Sequence, residues 1–182
     1  MARMGPTDEE LMSAYVAGDA RAFESLFARL APRVHGFFLR SFRNEAIADD
    51  LLQQTFMKLH RARARYRPEL KLAPWVFAIA ARVRIDELRR RLRLPEDAGE
   101  DAIARADEQI RPDPPPGSDL RDAVRAALDG LPESQRTVIH LHRYEGMTFA
   151  EIARVLDTTE GAVKLRAFRG YEKLREQLED LL

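Results

Sequence analysis

The stretch Phe149–Arg169, FAEIARVLDTTEGAVKLRAFR, decides how the rest of the chain is read. It predicts a helix, a tight turn and a second, basic helix. In a helix-turn-helix, a small residue in the first helix lets the second approach. A residue tolerant of positive φ makes the turn, and an apolar residue pins the second helix to the core. Ala153, Asp157 and Val163 stand at those three places. Asp157 occupies the position where glycine is usual, and aspartate enters the left-handed region more readily than most residues. At about 100° per residue, Val163, Ala167, Tyr171, Leu174 and Leu178 form one apolar stripe. Leu165 and Arg169 point almost opposite, with Arg166 and Lys173 beside them. A leucine among arginines suits a groove floor that offers thymine methyls as well as hydrogen-bond acceptors. A plain bundle helix could carry a solvated basic face too. The preceding helix and turn, at the right spacing, favour DNA binding.

A DNA-binding chain is expected to be basic, yet 30 Lys and Arg balance 30 Asp and Glu, for a net charge of zero. Position resolves the conflict. Between Arg61 and Arg93 there are 11 basic and 3 acidic residues, a local balance of +8. Between Glu96 and Asp122 there are 9 acids and 3 arginines, a balance of −6. The zero is a cancellation between neighbouring segments. The basic block suits a polyanion, because the field it makes is local to its surface.

The chain of 182 residues fits one medium domain or two small ones, and 33% charged with 45% hydrophobic residues is ordinary for a helical, water-facing protein. It has no cysteine, which excludes a disulfide framework and a thiolate metal site and fits a reducing cytoplasm. The opening MARMGPTDEE has no apolar core of a secretory signal. The longest strongly apolar run, LAPWVFAIAA from Leu72 to Ala81, is ten residues long, half of the roughly twenty that a membrane crossing needs. A soluble, cytoplasmic protein is expected.

Along the chain, Thr7 is a helix N-cap candidate for DEELMSAYVAG, which Gly18 stops. Asp19 caps ARAFESLFARLAPRVHGFFLRSF, where Phe23, Leu26, Phe27 and Leu30 recur at helical spacing and Pro32 is expected to kink or interrupt the segment without ending the pattern. Asn44 opens a third helix, EAIADDLLQQTFMKLHRARARY. The loop RPELKLAP leads to a fourth, from Trp75 to about Arg93. Residues 94–118 are acidic, hold five of the ten prolines and have few large apolar groups, the composition of a flexible linker. Four further helices follow, separated by Gly130-Leu131-Pro132, Gly146-Met147 and Asp157-Thr158-Thr159. No strand pattern or internal repeat is visible. The expected fold class is all-α: two small helical domains, residues 1–93 and 119–182, joined by the linker 94–118.

On the fourth helix, Trp75, Arg82, Asp86, Arg89 and Arg93 lie within about 80° of one another, and Phe77, Ala81, Ile85, Leu88 and Leu92 take another face. An aromatic thus leads an arginine stripe, beside a loop with Tyr66, Arg67 and Lys71. Arginines neutralise phosphates and aromatics stack on unpaired bases. The plainer reading has Trp75 anchoring the core and the arginines solvated.

At these residues a family resemblance enters. AIADDLLQQTFMKLH followed by APWVFAIAARVRIDELRRRLR resembles region 2 of the extracytoplasmic-function sigma factors of bacterial RNA polymerase. LRDAVRAALDGLPESQRTVIHLHRYEGMTFAEIARVLDTTEGAVKLRAFRGYEKLRE resembles their region 4. With YVAGDARAFESLFARL near the start, nearly all but the linker is covered. The resemblance implies a region 2 bundle and a four-helix region 4 domain. It implies that Ala48, Asp50, Leu51 and Gln53, with Phe56 packed inward, belong to the helix that binds the clamp of core RNA polymerase. It implies that Tyr66, Arg67, Lys71, Trp75, Arg82, Arg89 and Arg93 belong to the elements that capture the melted −10 promoter DNA. Leu165, Arg166 and Arg169 match positions that enter the major groove at the −35 element, with Lys164 and Lys173 alongside. It further implies promoter DNA and core RNA polymerase as partners, control by an anti-sigma factor that is often membrane-anchored, and no cofactor, metal or small-molecule substrate.

Other function classes have less to stand on. No phosphate-binding glycine loop or nucleophile elbow is present. His140 and His142 are two apart on a helix and share no face for a metal. A stand-alone helix-turn-helix transcriptional regulator would need a sensing or dimerising N-terminal domain where this chain has its arginine stripe.

Overall fold

The computed structural model describes residues 5–95 and 120–179. Those residues form eight α-helices and one 3₁₀ turn, with no strand among them, as the sequence predicts. The chain divides into two compact units, Met1–Val83 and Arg84–Leu182. The expected linker falls almost wholly outside the described residues.

In the first unit, α1 spans Asp8–Val16. Thr7 caps it in a reciprocal box with Glu10, which satisfies two backbone donors that have no partner inside the helix. Gly18, at φ 105°, turns the chain. Asp19 then caps α2, Ala20–Phe42, through its carboxylate to the Arg21 and Ala22 amides. The helix runs on through Pro32 to Phe42, so the proline does not end the pattern, as the sequence predicts. Leu30, Val34, Phe37 and Phe38 on both sides of the proline are buried, and that packing outweighs the lost backbone bond. Asn44 caps α3, Glu45–Ala62, through Ile47 N–H, and a 3₁₀ turn follows at Arg63–Arg65.

Helix α4, Leu72–Leu92, starts three residues before the predicted Trp75; its residues 72–83 belong to this unit and 84–92 to the second. Pro74 therefore sits in the first turn, where a missing N–H costs nothing. The core of this unit joins Met12 of α1, Leu26, Leu30 and Phe38 of α2, Leu51 and Leu59 of α3, and Phe77 of α4, whose ring meets Phe37 edge-on at 5.8 Å.

In the second unit, α5 (Leu120–Asp129), α6 (Glu133–Arg143) and α7 (Phe149–Val155) each pack on α8 (Glu160–Leu178). Leu131, Val138, Leu141, Ile152 and Val163 form the core. Gly170 lets α8 lie close on α6, since a Cβ there would come within 2.7 Å of Ile139 Cδ1. One polar cluster is buried. Arg84 Nη1 donates to Glu133 Oε1 at 2.5 Å, Thr137 Oγ1 donates to the same oxygen at 3.1 Å, and Arg136 pairs with the Glu133 carboxylate. A carboxylate out of water is tolerated when such charge-assisted bonds surround it.

Candidate nucleic-acid and partner interfaces

The helix-turn-helix in the second unit is built as its sequence dictates. Thr148 and Glu151 make a capping box at the start of α7. His142 Nδ1–H donates to Met147 O at 2.8 Å and its ring stacks on Phe149 at 4.5 Å, which fixes the corner between α6 and α7. Asp157 takes φ 51°, the left-handed conformation expected of it. Thr158 N–H closes the turn onto Ala153 O at 2.9 Å. Thr159 caps α8 through Ala162 N–H. Ala153 and Val163 are buried, as the pattern requires.

On the outward side of α8, Leu165 is 48% exposed, and Arg169 is exposed with no ion pair among the described residues. Lys164 is held by Glu160 at 2.8 Å, one turn back. Arg166 is half-buried and Lys173 exposed. One side chain departs from the sequence reading, and a second is absent from it. Tyr171, assigned to the apolar stripe, is exposed, whereas Gly170 fills the buried position beside it. Phe168 is 63% exposed. It lies about 60° from Leu165 around the helix, so the helical angle alone places it on the outward face. The exposed face of α8 is therefore an apolar pair, Leu165 and Phe168, flanked by basic groups.

In the first unit, α3 buries Ala48, Leu51, Thr55, Phe56 and Leu59 and turns Asp50 and Gln53 to the surface. Neither Asp50 nor Gln53 has a hydrogen bond or ion pair among the described residues. Beside them opens a groove of about 550 Å³ between α2 and α3, lined by Phe23, Phe27, Leu52, Phe56 and Met57, with Gln53 at its edge. The Phe27 ring lies 4.7 Å from that of Phe56, tilted by 60°, yet stays 40% exposed, and Met57 is 49% exposed. Phe27 shares the helical spacing of Phe23, Leu26 and Leu30. Tyr15 of α1 packs on Phe23, one turn earlier, at 4.8 Å.

The expected −10 elements divide into presented and anchored residues. Arg67 and Lys71 are exposed on the loop, and Arg82 is exposed on α4. Arg67 and Arg82 carry no ion pair among the described residues. Trp75 is half-buried, its ring 5.4 Å from Tyr66. Farther along α4, Arg89 is half-buried near Asp86 at 3.8 Å, and Arg93 is exposed just past the helix at φ 51°. Arg90 and Arg91 both bind the Glu87 carboxylate, at 2.7–2.8 Å. The hydrogen bond from Arg90, ahead of that from Arg91, holds this carboxyl below its usual range. Arg84, part of the basic block in the sequence, is buried with Glu133 and does not face solvent.

Tyr66, expected at the DNA surface, is turned inward and buried, and its hydroxyl donates to Leu70 O at 2.7 Å. Burial, then the charges of Glu9 and Glu69, pushes its phenol up to about 12. A phenol whose folded-state pKa exceeds its unfolded value contributes stability that is complete below the unfolded value near 10. That contribution is lost as pH rises through about 12. Alkaline titration of the phenolate absorbance is expected to show a late step near 12 that Tyr66→Phe removes. A late step that survives Tyr66→Phe would show that another tyrosine produces it.

With the geometry in place, the comparisons with known proteins are specific. The Sigma-70 region 2 model matches residues 26–94 and the Sigma-70, region 4 model matches residues 121–174. RNA polymerase sigma factor CarQ of Myxococcus xanthus is 41% identical over 93% of this chain and 97% of its own length. ECF RNA polymerase sigma factor SigM of Mycobacterium tuberculosis is 32% identical over 94% of this chain and 85% of its own. CnrH, solved in complex with the cytosolic domain of CnrY, superposes with a TM-score of 0.66 at 27% identity, covering 95% of this chain and 97% of that one. The sigma factor RpoE of Bartonella quintana, solved with the anti-sigma factor NepR, shares the fold with a TM-score of 0.67 at 22% identity, over 88% of this chain and 98% of that one. A helix-turn-helix and an α3 surface, matched separately by two family models in chain order, place the molecule: the chain belongs to the extracytoplasmic-function sigma factors, which direct bacterial RNA polymerase to promoters.

Proposed function

We propose that this sigma factor divides promoter recognition between residues 1–93 and 119–182, with 94–118 as the connecting linker. In this reading Asp50 and Gln53 on α3 face the clamp of core polymerase, with Ala48 and Leu51 setting the helix on its own core. The loop 66–74 and the outward side of α4 engage melted −10 DNA through Arg67, Lys71, Trp75, Arg82, Arg89 and Arg93. Tyr66 serves this surface from beneath. Helix α8 enters the −35 major groove with Leu165, Phe168 and Arg169 toward the bases and Lys164, Arg166 and Lys173 toward phosphates. The chain supplies no reacting group; core polymerase carries out the phosphoryl transfer.

The observation that carries the reading is the outward face of α8, where Arg169, without an ion pair among the described residues, sits among exposed apolar side chains on a helix fixed by a completed turn. A stand-alone regulator would account for α8 but not for the region 2 match. CnrH and the Bartonella quintana RpoE were each solved with a partner protein, the latter with an anti-sigma factor. An anti-sigma factor is accordingly the proposed regulator here, and a membrane-anchored one would hold the chain at the inner membrane. Among the described residues no helix is long and apolar enough to cross a membrane itself.

The test is run-off transcription with purified chain and bacterial core polymerase on fragments of the host genome. Initiation at particular promoters, absent with core alone, is the expected outcome. A mixture that never exceeds core alone would refute the reading.

A further inference from the structure

Each acid in the first turn of α1 has a different partner. Glu10 closes the capping box with Thr7, and Asp8 pairs with Arg29 at 3.0 Å. Glu9 reaches across the unit instead. Its Oε1 accepts the backbone N–H of Leu72 at 2.9 Å, a bond between residues 63 apart in sequence. Leu72 is the first residue of α4, so its N–H has no acceptor inside the helix. Glu9 therefore does from another helix what an N-cap residue does locally, and it places negative charge where the helix dipole favours it. Ser13 Oγ donates to Glu9 O at 2.9 Å, adding a side-chain bond to the turn that carries the carboxylate.

The segment between the 3₁₀ turn and α4 is tied at two more points. Leu70 N–H bonds Arg67 O at 3.0 Å, and the buried Tyr66 hydroxyl bonds Leu70 O. Arg67, Pro68, Glu69, Leu70 and Lys71 are all exposed at its crown. Five exposed residues with no helix of their own would otherwise sample many conformers, at a cost of roughly 1–2 kcal/mol per residue to order. Three ties, two from within and one from α1, present the crown in one shape before any ligand arrives.

We propose that Glu9 of α1 is a positioning residue for the −10-reading loop: its carboxylate, by capping Leu72 N–H, holds the loop 66–71 and the start of α4 in the geometry that discriminates −10 bases. This inference rests on the promoter reading above. It adds that −10 specificity depends on a residue of the N-terminal helix that does not touch DNA.

The experiment uses the full chain assembled with core polymerase and two randomised promoter libraries, one at −10 and one at −35, together with core-binding affinity. Glu9→Ala is expected to keep core affinity and −35 preference while reducing −10 discrimination about tenfold, within the range that one well-placed base contact supplies. Glu9→Gln keeps an oxygen able to accept from Leu72 N–H and is expected to retain most of that discrimination. Tyr66→Phe opens the other tie and should lower −10 discrimination without altering α1. Unchanged −10 preference in Glu9→Ala or in Tyr66→Phe overturns the proposal. So does a Glu9→Ala chain that loses core affinity and −35 preference in step with −10 preference, because Glu9 would then support the whole unit. A wild-type holoenzyme with no −10 preference at all refutes the promoter reading itself, a different result from either.

Discussion

Arg169→Ala is expected to cost about 1–3 kcal/mol in promoter affinity and to relax preference at a single −35 position. The size follows from where the guanidinium sits. Val163 and Ala167 bury the opposite side of α8, so Arg169 faces outward by helical geometry, and no carboxylate among the described residues competes for it. An arginine presented this way is matched to the O6 and N7 acceptors of guanine, the commonest specific base contact. Its neighbours sharpen the case. Leu165 and Phe168 leave water little to solvate on that face, and they suit a thymine methyl on an adjacent base pair. Lys173→Ala provides the contrast. It should weaken all promoters alike and reduce the slope of log affinity against log salt by about one unit, the mark of a lost phosphate contact. A −35 library read with each variant separates the two effects. If Arg169→Ala keeps the wild-type preference at every −35 position, this docking of α8 is wrong.

The features that were legible in the sequence are those that short-range chemistry decides. Thr7, Asp19 and Asn44 cap helices because a small polar side chain reaches an amide two or three residues on. Asp157 turns the chain because few other non-glycine residues tolerate positive φ. The all-α class and the helix-turn-helix follow from such signals. What the sequence hides is whatever depends on a distant neighbour. Helical period gives an angle about an axis and says nothing of what lies along it. Phe27 and Tyr171 thus follow the apolar period of their helices but border solvent, and Arg84 lies in the basic block of the sequence but is buried against Glu133. Tyr66 beside Trp75 matches a base-stacking pattern, yet its hydroxyl holds Leu70 O, a carbonyl that no periodicity marks as an acceptor. The early start of α4 has the same origin, since its capping acid comes from Glu9 in another helix.

Asp50→Arg is the second large effect expected, and it acts on a partner other than DNA. Ala48, Leu51, Thr55 and Leu59 fix α3 on its own core, so a change at Asp50 leaves the packing that sets the helix untouched. Helical content by circular dichroism should therefore be that of the wild type. Core polymerase binding should fall, because a carboxylate with no partner among the described residues is available to a cation or amide of the clamp, and reversal turns that attraction into repulsion. Loss of one partner from a polar contact at an interface centre costs about 1–3 kcal/mol, and a buried like-charge pair adds to it. Gln53→Ala removes a neutral hydrogen-bonding group at the edge of the Phe27–Met57 groove and should weaken binding by less than the reversal. The order of the two variants is informative in itself. An interface dominated by the apolar groove would leave both variants near wild type and make Met57 the sensitive position. Co-purification of core polymerase with Asp50→Arg and Gln53→Ala at wild-type levels would move the clamp contact off this face of α3.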